Sequence, residues 1–164
     1  MLKNIIKILS VINNKIGLIS SFFILILIFL VSLSVILRYI FSIGFIWHQD
    51  LYIWTHAIFI LLGISYTLKK DGHVRIDLFY KDFKIKQKKI INLIGVIIFG
   101  IPITYLLLTN GLDYFIRSYN LNESSKESGG LPYIYILKFF IFFLGVLLFL
   151  EILRQISTFF EKND

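Results

Sequence analysis

Four long apolar runs separated by polar and charged stretches set the pattern of the chain. Gly17 to Leu37 carries no charge. At about 1.5 Å per helical residue it reaches roughly 31 Å, enough to cross a hydrocarbon core of about 30 Å. Further runs lie at Leu51 to Leu68, interrupted only by His56, at Ile90 to Leu112, which contains Pro102, and at Leu131 to Leu150. The pattern predicts an all-α integral membrane protein with four transmembrane helices, over about 17–37, 51–68, 90–112 and 131–150, forming one membrane domain across 1–164. The first run is longer than the apolar centre of a cleavable signal peptide and ends in Val35-Ile36-Leu37-Arg38-Tyr39, so an uncleaved anchor is expected. Pro102 predicts a kink, because proline removes one helical hydrogen bond and crowds the preceding turn.

The polar stretches give the spans a direction. Lys3, Lys7 and Lys15 precede the first span, and Arg38 alone marks the first loop. Lys69, Lys70, Arg75, Lys81, Lys84, Lys86, Lys88 and Lys89 crowd the second loop, and Arg117 and Lys126 mark the third. Basic residues are retained on the cytoplasmic side, so both termini are expected there, with loops 38–50 and 113–130 facing outward. Trp47, Tyr52 and Trp54 then fall near the outer boundary, where amphipathic rings favour the headgroup level. Ahead of the first span, Ile5, Ile8, Leu9, Ile12 and Ile16 recur at helical spacing opposite Lys3, Lys7, Ser10 and Asn14. That stretch is either an interfacial helix or an extension of the span. In the second loop, "KKDGHVRIDLFYKDF" alternates like a strand over 73–78, but a lone strand at a membrane surface has no backbone partner. As a helix it aligns Ile76, Phe79, Tyr80 and Phe83, which predicts a second interfacial helix; the plainer alternative is a solvated basic turn that fixes topology.

Composition supports the membrane assignment and narrows the chemistry. Of 164 residues, 57% are hydrophobic and only two are proline, a balance foreign to ordinary water-soluble domains. The net charge of +7 lies beside apolar runs, which points to membrane lipids, specifically anionic headgroups, rather than to nucleic acid. The absence of cysteine removes disulfide and thiolate chemistry. No phosphate loop, nucleophile elbow or metal cluster is present, so an enzyme is not expected. The expected spans hold no Asp or Glu away from their ends, and hence no ion-coupling site of the kind that self-sufficient transporters carry near the midplane. Lys138 is the one charge well inside a span; it is expected to anchor another helix or subunit, or to snorkel to the outer headgroups. His56 is the one histidine expected within the membrane, with His48 outside and His73 inside, so no facing pair exists for haem and His56 is expected to pack or bond between helices. Arg38 and Asp50 meet at the outer boundary and are expected to pair.

The blocks "RYIF" (Arg38 to Phe41), "WHQDL" (Trp47 to Leu51), "LLGISYTLKKDGHVRIDLFY" (Leu61 to Tyr80) and "ESGGLPYIYILK" (Glu127 to Lys138) resemble the small permease subunit, the DctQ-like family, of tripartite ATP-independent periplasmic (TRAP) transporters. The resemblance covers nearly the whole chain, and its most specific piece is Gly63, Tyr66 and the Gly-His-Val-Arg-Ile-Asp run that follows. The Gly-Gly-Leu-Pro entry into the fourth span looks like the branch for mannitol/chloroaromatic compounds or 2-oxo acids. Many members carry two adjacent acids after the outer tryptophan, whereas His48-Gln49-Asp50 keeps one. What the resemblance implies is a non-catalytic subunit of the bacterial inner membrane. Its partners would be a large permease subunit, which holds sodium and substrate and moves as an elevator, and a periplasmic solute-binding receptor that delivers an organic acid. No cofactor is expected on this chain, sodium being bound by the large subunit. Arg38, Trp47, Asp50, Gly63, Tyr66, His73, Arg75, Asp77 and Lys138 are the positions expected at partner interfaces, and loop 113–130 is expected to meet the receptor. A self-sufficient homo-oligomeric channel or small transporter, and a membrane anchor for an enzyme, are the competing alternatives.

Overall fold

The computed structural model describes residues 2–70, 72 and 83–161. Helix α1 (Leu2–Tyr39) runs without interruption, and at about 1.5 Å per residue its 38 residues extend roughly 57 Å. The amphipathic stretch before the first span is therefore its extension and not a separate interfacial helix. Helix α2 (Ile46–Lys69) starts ahead of the expected span, so Trp47, His48, Gln49 and Asp50 occupy its first turns instead of a loop. The proposed helix in the second loop, with His73, Arg75 and Asp77, lies outside the described residues.

The third span is built in pieces. Helix α3 (Ile85–Gly95) begins with the Lys84 N–H donating to Gln87 Oε1 at 2.9 Å, which satisfies a donor that the first helical turn leaves open. A π-helical turn (Val96–Gly100) follows, closed by the Ile101 N–H donating to Val96 O, and then α4 (Ile101–Asn120), with Pro102 in its first turn. Proline offers no N–H to the preceding turn, and the wider loop adjacent to it is one of the ways a membrane helix accommodates the freed carbonyl. The irregularity expected at Pro102 thus takes the form of a π-turn just before it. Helix α5 (Tyr135–Glu161) starts four residues later than expected and runs well past Leu150. Among the described residues, four helical stretches are long and apolar enough to cross a membrane: Ile6–Tyr39, Ile46–Lys69, Gln87–Asn120 and Tyr135–Phe160.

Helices α1 and α2 form one hairpin, α4 and α5 another, and α5 also packs on α1 and α2, which makes it the hub. The interior mixes polar side chains with leucines such as Leu62, Leu144 and Leu147, more evenly than a soluble bundle does. Leu18, Phe22, Leu25 and Phe29 on α1 leave 60–72% of their surface uncovered, while Asn13, Ser20, Ser65, Thr104, Ser118 and Glu151 are buried. Lipid tails are as apolar as leucine, so large side chains gain little by turning inward; close backbone approach and interhelical hydrogen bonds do more. Glycine permits that approach between α4 and α5: a Cβ on Gly111 would lie 3.2 Å from Phe142 Cα, and one on Gly145 would lie 3.0 Å from Leu107 Cβ.

Candidate functional site

Two polar clusters, one at each end of the hub helix, hold the bundle together. At the end lined by the basic loops, α1 contributes Ser10, Asn13 and Asn14, α2 contributes Ser65 and Lys69, and α5 contributes Glu151, Arg154 and Gln155. Asn13 Nδ2 donates to Glu151 Oε2 at 2.7 Å, and the Ser65 hydroxyl is shared between Asn13 Oδ1 (2.9 Å) and the Leu147 carbonyl (3.0 Å). Arg154 grips the same carboxylate in a fork, Nε to Oε2 at 2.8 Å and Nη2 to Oε1 at 2.6 Å, and Gln155 Nε2 adds a bond to Oε1 at 3.0 Å. One turn nearer the surface, Lys69 Nζ donates to Ser10 O (2.6 Å) and Asn14 Oδ1 (2.7 Å).

Glu151 corrects the expectation that the spans lack an interior carboxylate: it has no solvent exposure. The apolar run ends at Leu150, so the charge reads as a boundary, yet the helix continues to Glu161 and carries Glu151 into the three-helix contact. A carboxylate offers about four lone-pair directions. Four donors from this chain occupy them, which leaves no open face for a coupling cation.

At the opposite end the 121–134 connection folds into a cap tied to two helices. Asp50 Oδ2, from the second turn of α2, accepts the Leu131 N–H at 2.9 Å. Ser125 N donates to Leu131 O and Ile134 N to Glu123 O, each at 3.0 Å, which closes the cap on itself. Gly129 takes φ +82°, a conformation open to glycine, and a Cβ on Gly130 would fall on the Asp50 carboxylate and on Ser125. Lys138, on the first turns of α5, is 8% exposed; its ammonium donates to Glu123 of the cap and lies 3.9 Å from the centroid of the Tyr114 ring. Its bond to Lys138 holds the Glu123 carboxyl below the usual carboxylate range. Edge-on rings continue the seam, Tyr119 with Tyr135 at 5.2 Å and Phe115 with Phe139 at 5.5 Å.

The expected site residues divide into an inward-turned and an outward-turned set. Asp50 bonds the cap instead of Arg38, which is exposed and has no ion-pair partner among the described residues. Lys138 neither snorkels nor projects outward; its charge is met inside the chain. Gly63 lies against Ser20, where an added Cβ would approach Ser20 Oγ to 3.2 Å, and the Tyr66 ring occupies the space left by Gly17. Trp47 is exposed at the outer end, its ring 5.6 Å from that of His48. His48 is itself buried, with no hydrogen-bond partner at Nε2, and lines a cavity of about 170 Å³ with Ser34, Arg38, Gln49 and Tyr52. His56, expected to pack or bond between helices, is instead exposed on the outer face of α2, because the face carrying Thr55, Leu62 and Ser65 turns inward. Asn13, Ser65, Glu123, Glu151 and Arg154 were not expected as functional positions. The signal that marks them is a polar residue at the spacing of a helix contact within, or just beyond, an apolar run.

The blocks "WHQDL" and "ESGGLPYIYILK", far apart in sequence, meet through Asp50 and Leu131. A family model described as tripartite ATP-independent periplasmic transporters, DctQ component, matches residues 27–162. Neither the curated proteins nor the solved structures yielded a match to the chain.

Proposed function

Because the chain belongs to the DctQ component family of tripartite ATP-independent periplasmic transporters, we propose that it acts as a non-catalytic scaffold that enlarges and steadies the large permease subunit in the bilayer. The family is a transporter component family and not an enzyme family, and its members are small membrane subunits of the inner membrane. Sodium and substrate are bound by the large subunit, and a periplasmic solute-binding receptor delivers the organic acid. The Gly129-Gly130-Leu131-Pro132 entry into the fourth span supports a cargo among mannitol/chloroaromatic compounds or 2-oxo acids.

One observation carries the scaffold role: the buried carboxylate, Glu151, is saturated by Asn13, Arg154 and Gln155 of its own chain. A subunit that coupled ion flow to transport would keep an intramembrane ligand open to the ion. Contact with the large subunit falls to outward-facing groups, namely the α1 stripe at Leu18, Phe22, Leu25 and Phe29, and Arg38 and Trp47 at the outer end. Asp50, Gly63, Tyr66 and Lys138 contribute indirectly, by holding the shape of that surface.

Reconstitution tests the proposal. Vesicles holding this chain and the large subunit, supplied with receptor and a sodium gradient, are expected to take up substrate, and vesicles lacking either subunit are not. Uptake by this chain alone, or undiminished uptake by the large subunit without it, would contradict the scaffold role.

A further inference from the structure

Helix α2 and the α3–α4 rod both lie on α5, with no substantial contact between them. The space between them is an open groove of about 890 Å³. Its walls are apolar, with Leu68 from α2, Val96 and Phe99 from the π-turn, and Leu148 and Ile152 from α5. Its mouth is different: Lys69, Lys89 and Arg154 stand around the end that the basic loops assign to the cytoplasm. From Leu148 at depth to Thr158 at the mouth, α5 rises roughly 15 Å, half of a hydrocarbon core of about 30 Å. The groove is one leaflet deep.

We propose that this groove seats an anionic glycerophospholipid of the cytoplasmic leaflet, with an acyl chain along the walls and the phosphate at the basic mouth. Donors remain for the phosphate. An ammonium has three N–H groups and a guanidinium five. Lys69 spends two on neutral acceptors, and Arg154 uses Nε and Nη2 on Glu151, leaving Nη1. Lys89 has no ion-pair partner among the described residues. Glu151 offsets the charge of Arg154, whereas the charges of Lys69 and Lys89 have no such counterpart. The rival occupant is a transmembrane helix of a partner. Membrane helices carry lysine and arginine at their own cytoplasmic ends, so a helix would bring like charge to this mouth, while a lipid phosphate brings the opposite charge. The π-turn widens the helix where Val96, Phe99 and Gly100 line the groove, in keeping with the frequent placement of such turns at ligand sites. The inference is independent of the scaffold role.

Gly95 supplies the test. It lines the groove, and a Cβ on it meets nothing within 4 Å, so a side chain added there starts from open space. The experiment is native mass spectrometry of the full chain released from nanodiscs of mixed phosphatidylglycerol and phosphatidylcholine, with and without its proposed large partner. The expected result is retention of phosphatidylglycerol over phosphatidylcholine, lost in Gly95→Phe. Lys89→Gln is expected to weaken retention about fivefold, the share of one basic residue beside an anionic headgroup. The unfolding temperature of Gly95→Phe in detergent without phosphatidylglycerol is expected to match that of the native chain, which separates lost binding from lost folding. Equal retention of the two lipids, retention unchanged by Gly95→Phe, or release of the large subunit by Gly95→Phe with no phosphatidylglycerol bound to the native complex would overturn the proposal, the last by identifying a protein helix as the occupant.

Discussion

Lys138 and Glu123 form an asymmetric ion pair: the lysine side chain is 10% exposed and the glutamate side chain 43%. Removing the carboxylate strands a charge in a nearly water-free place, while removing the ammonium returns the glutamate to solvent. Glu123→Gln is therefore expected to lower the unfolding temperature more than Lys138→Met does, and the double substitution is expected to recover part of the loss. Thermal unfolding of the purified chain in detergent orders the three variants.

The same pair sets a pH dependence. The ammonium holds the Glu123 carboxyl below its ordinary range, so the folded state keeps this proton off more readily than the unfolded chain does. Its contribution is fully present above the ordinary carboxylate range and is lost as pH falls through the lowered folded value. Unfolding temperature is expected to decline below about pH 4, and to decline less steeply in the Lys138→Met, Glu123→Gln double variant. Parallel slopes would remove the pair from the account.

The inner cluster yields a graded series. Removing one partner of a buried ion pair typically costs about 3–5 kcal/mol, and a single interhelical hydrogen bond in a membrane about 0.6–2 kcal/mol. Arg154→Met, which leaves Glu151 with only Asn13 and Gln155, is expected in the first range, and Ser65→Ala in the second. Equilibrium unfolding in mixed micelles measures both. Equal effects would mean that the fork from Arg154 is not the principal partner of the carboxylate.

Glycines with and without neighbours are expected to separate cleanly. Gly145→Leu drives a side chain into the Leu107 and Leu108 backbone and is expected to cost about 1–3 kcal/mol or more. Gly95→Ala meets open space on a helix and is expected to stabilise by about 0.4–1 kcal/mol, chiefly through a less flexible unfolded chain. Unfolding midpoints of the two variants decide the matter.

Asp50→Ala leaves the Leu131 N–H without its acceptor. The cap is expected to open more often, with a net loss of about 1–3 kcal/mol, the cost of an unmet donor in a partly buried place. Hydrogen exchange at residues 121–134 is expected to accelerate while α1 and α2 keep their protection; unchanged exchange in the cap would show that the bond does not hold it.

The four spans were legible because apolar runs of about twenty residues have few alternatives, and the basic loops gave them an expected direction. The contacts between them were not. Glu151 sits one residue past an apolar run, and a hydropathy boundary does not say whether the helix stops or continues through a polar contact. Asp50 and Arg38 share the outer boundary, which suggested a pair, but the partner of Asp50 is a backbone amide brought in by a turn more than eighty residues away. His56 and Ser65 lie on one helix within one apolar run, yet one is exposed and the other fully buried. The orientation of α2 decides that difference, and the uniformly apolar character of a membrane helix hides it.

The order in which a ribosome delivers these helices gives the hub a second significance. The hairpin of α1 and α2 enters the bilayer before α5 exists, with Asn13 and Ser65 still lacking Glu151 and the Leu147 carbonyl as partners. Apart from the bonds of Lys69 and the one between Ser65 and Asn13, the interhelical polar bonds of the inner cluster close only when the last hairpin arrives. A copy stalled or cut short before α5 therefore presents the Asn13 amide N–H without its partner within the lipid, a state by which membrane proteases can distinguish it from a finished subunit.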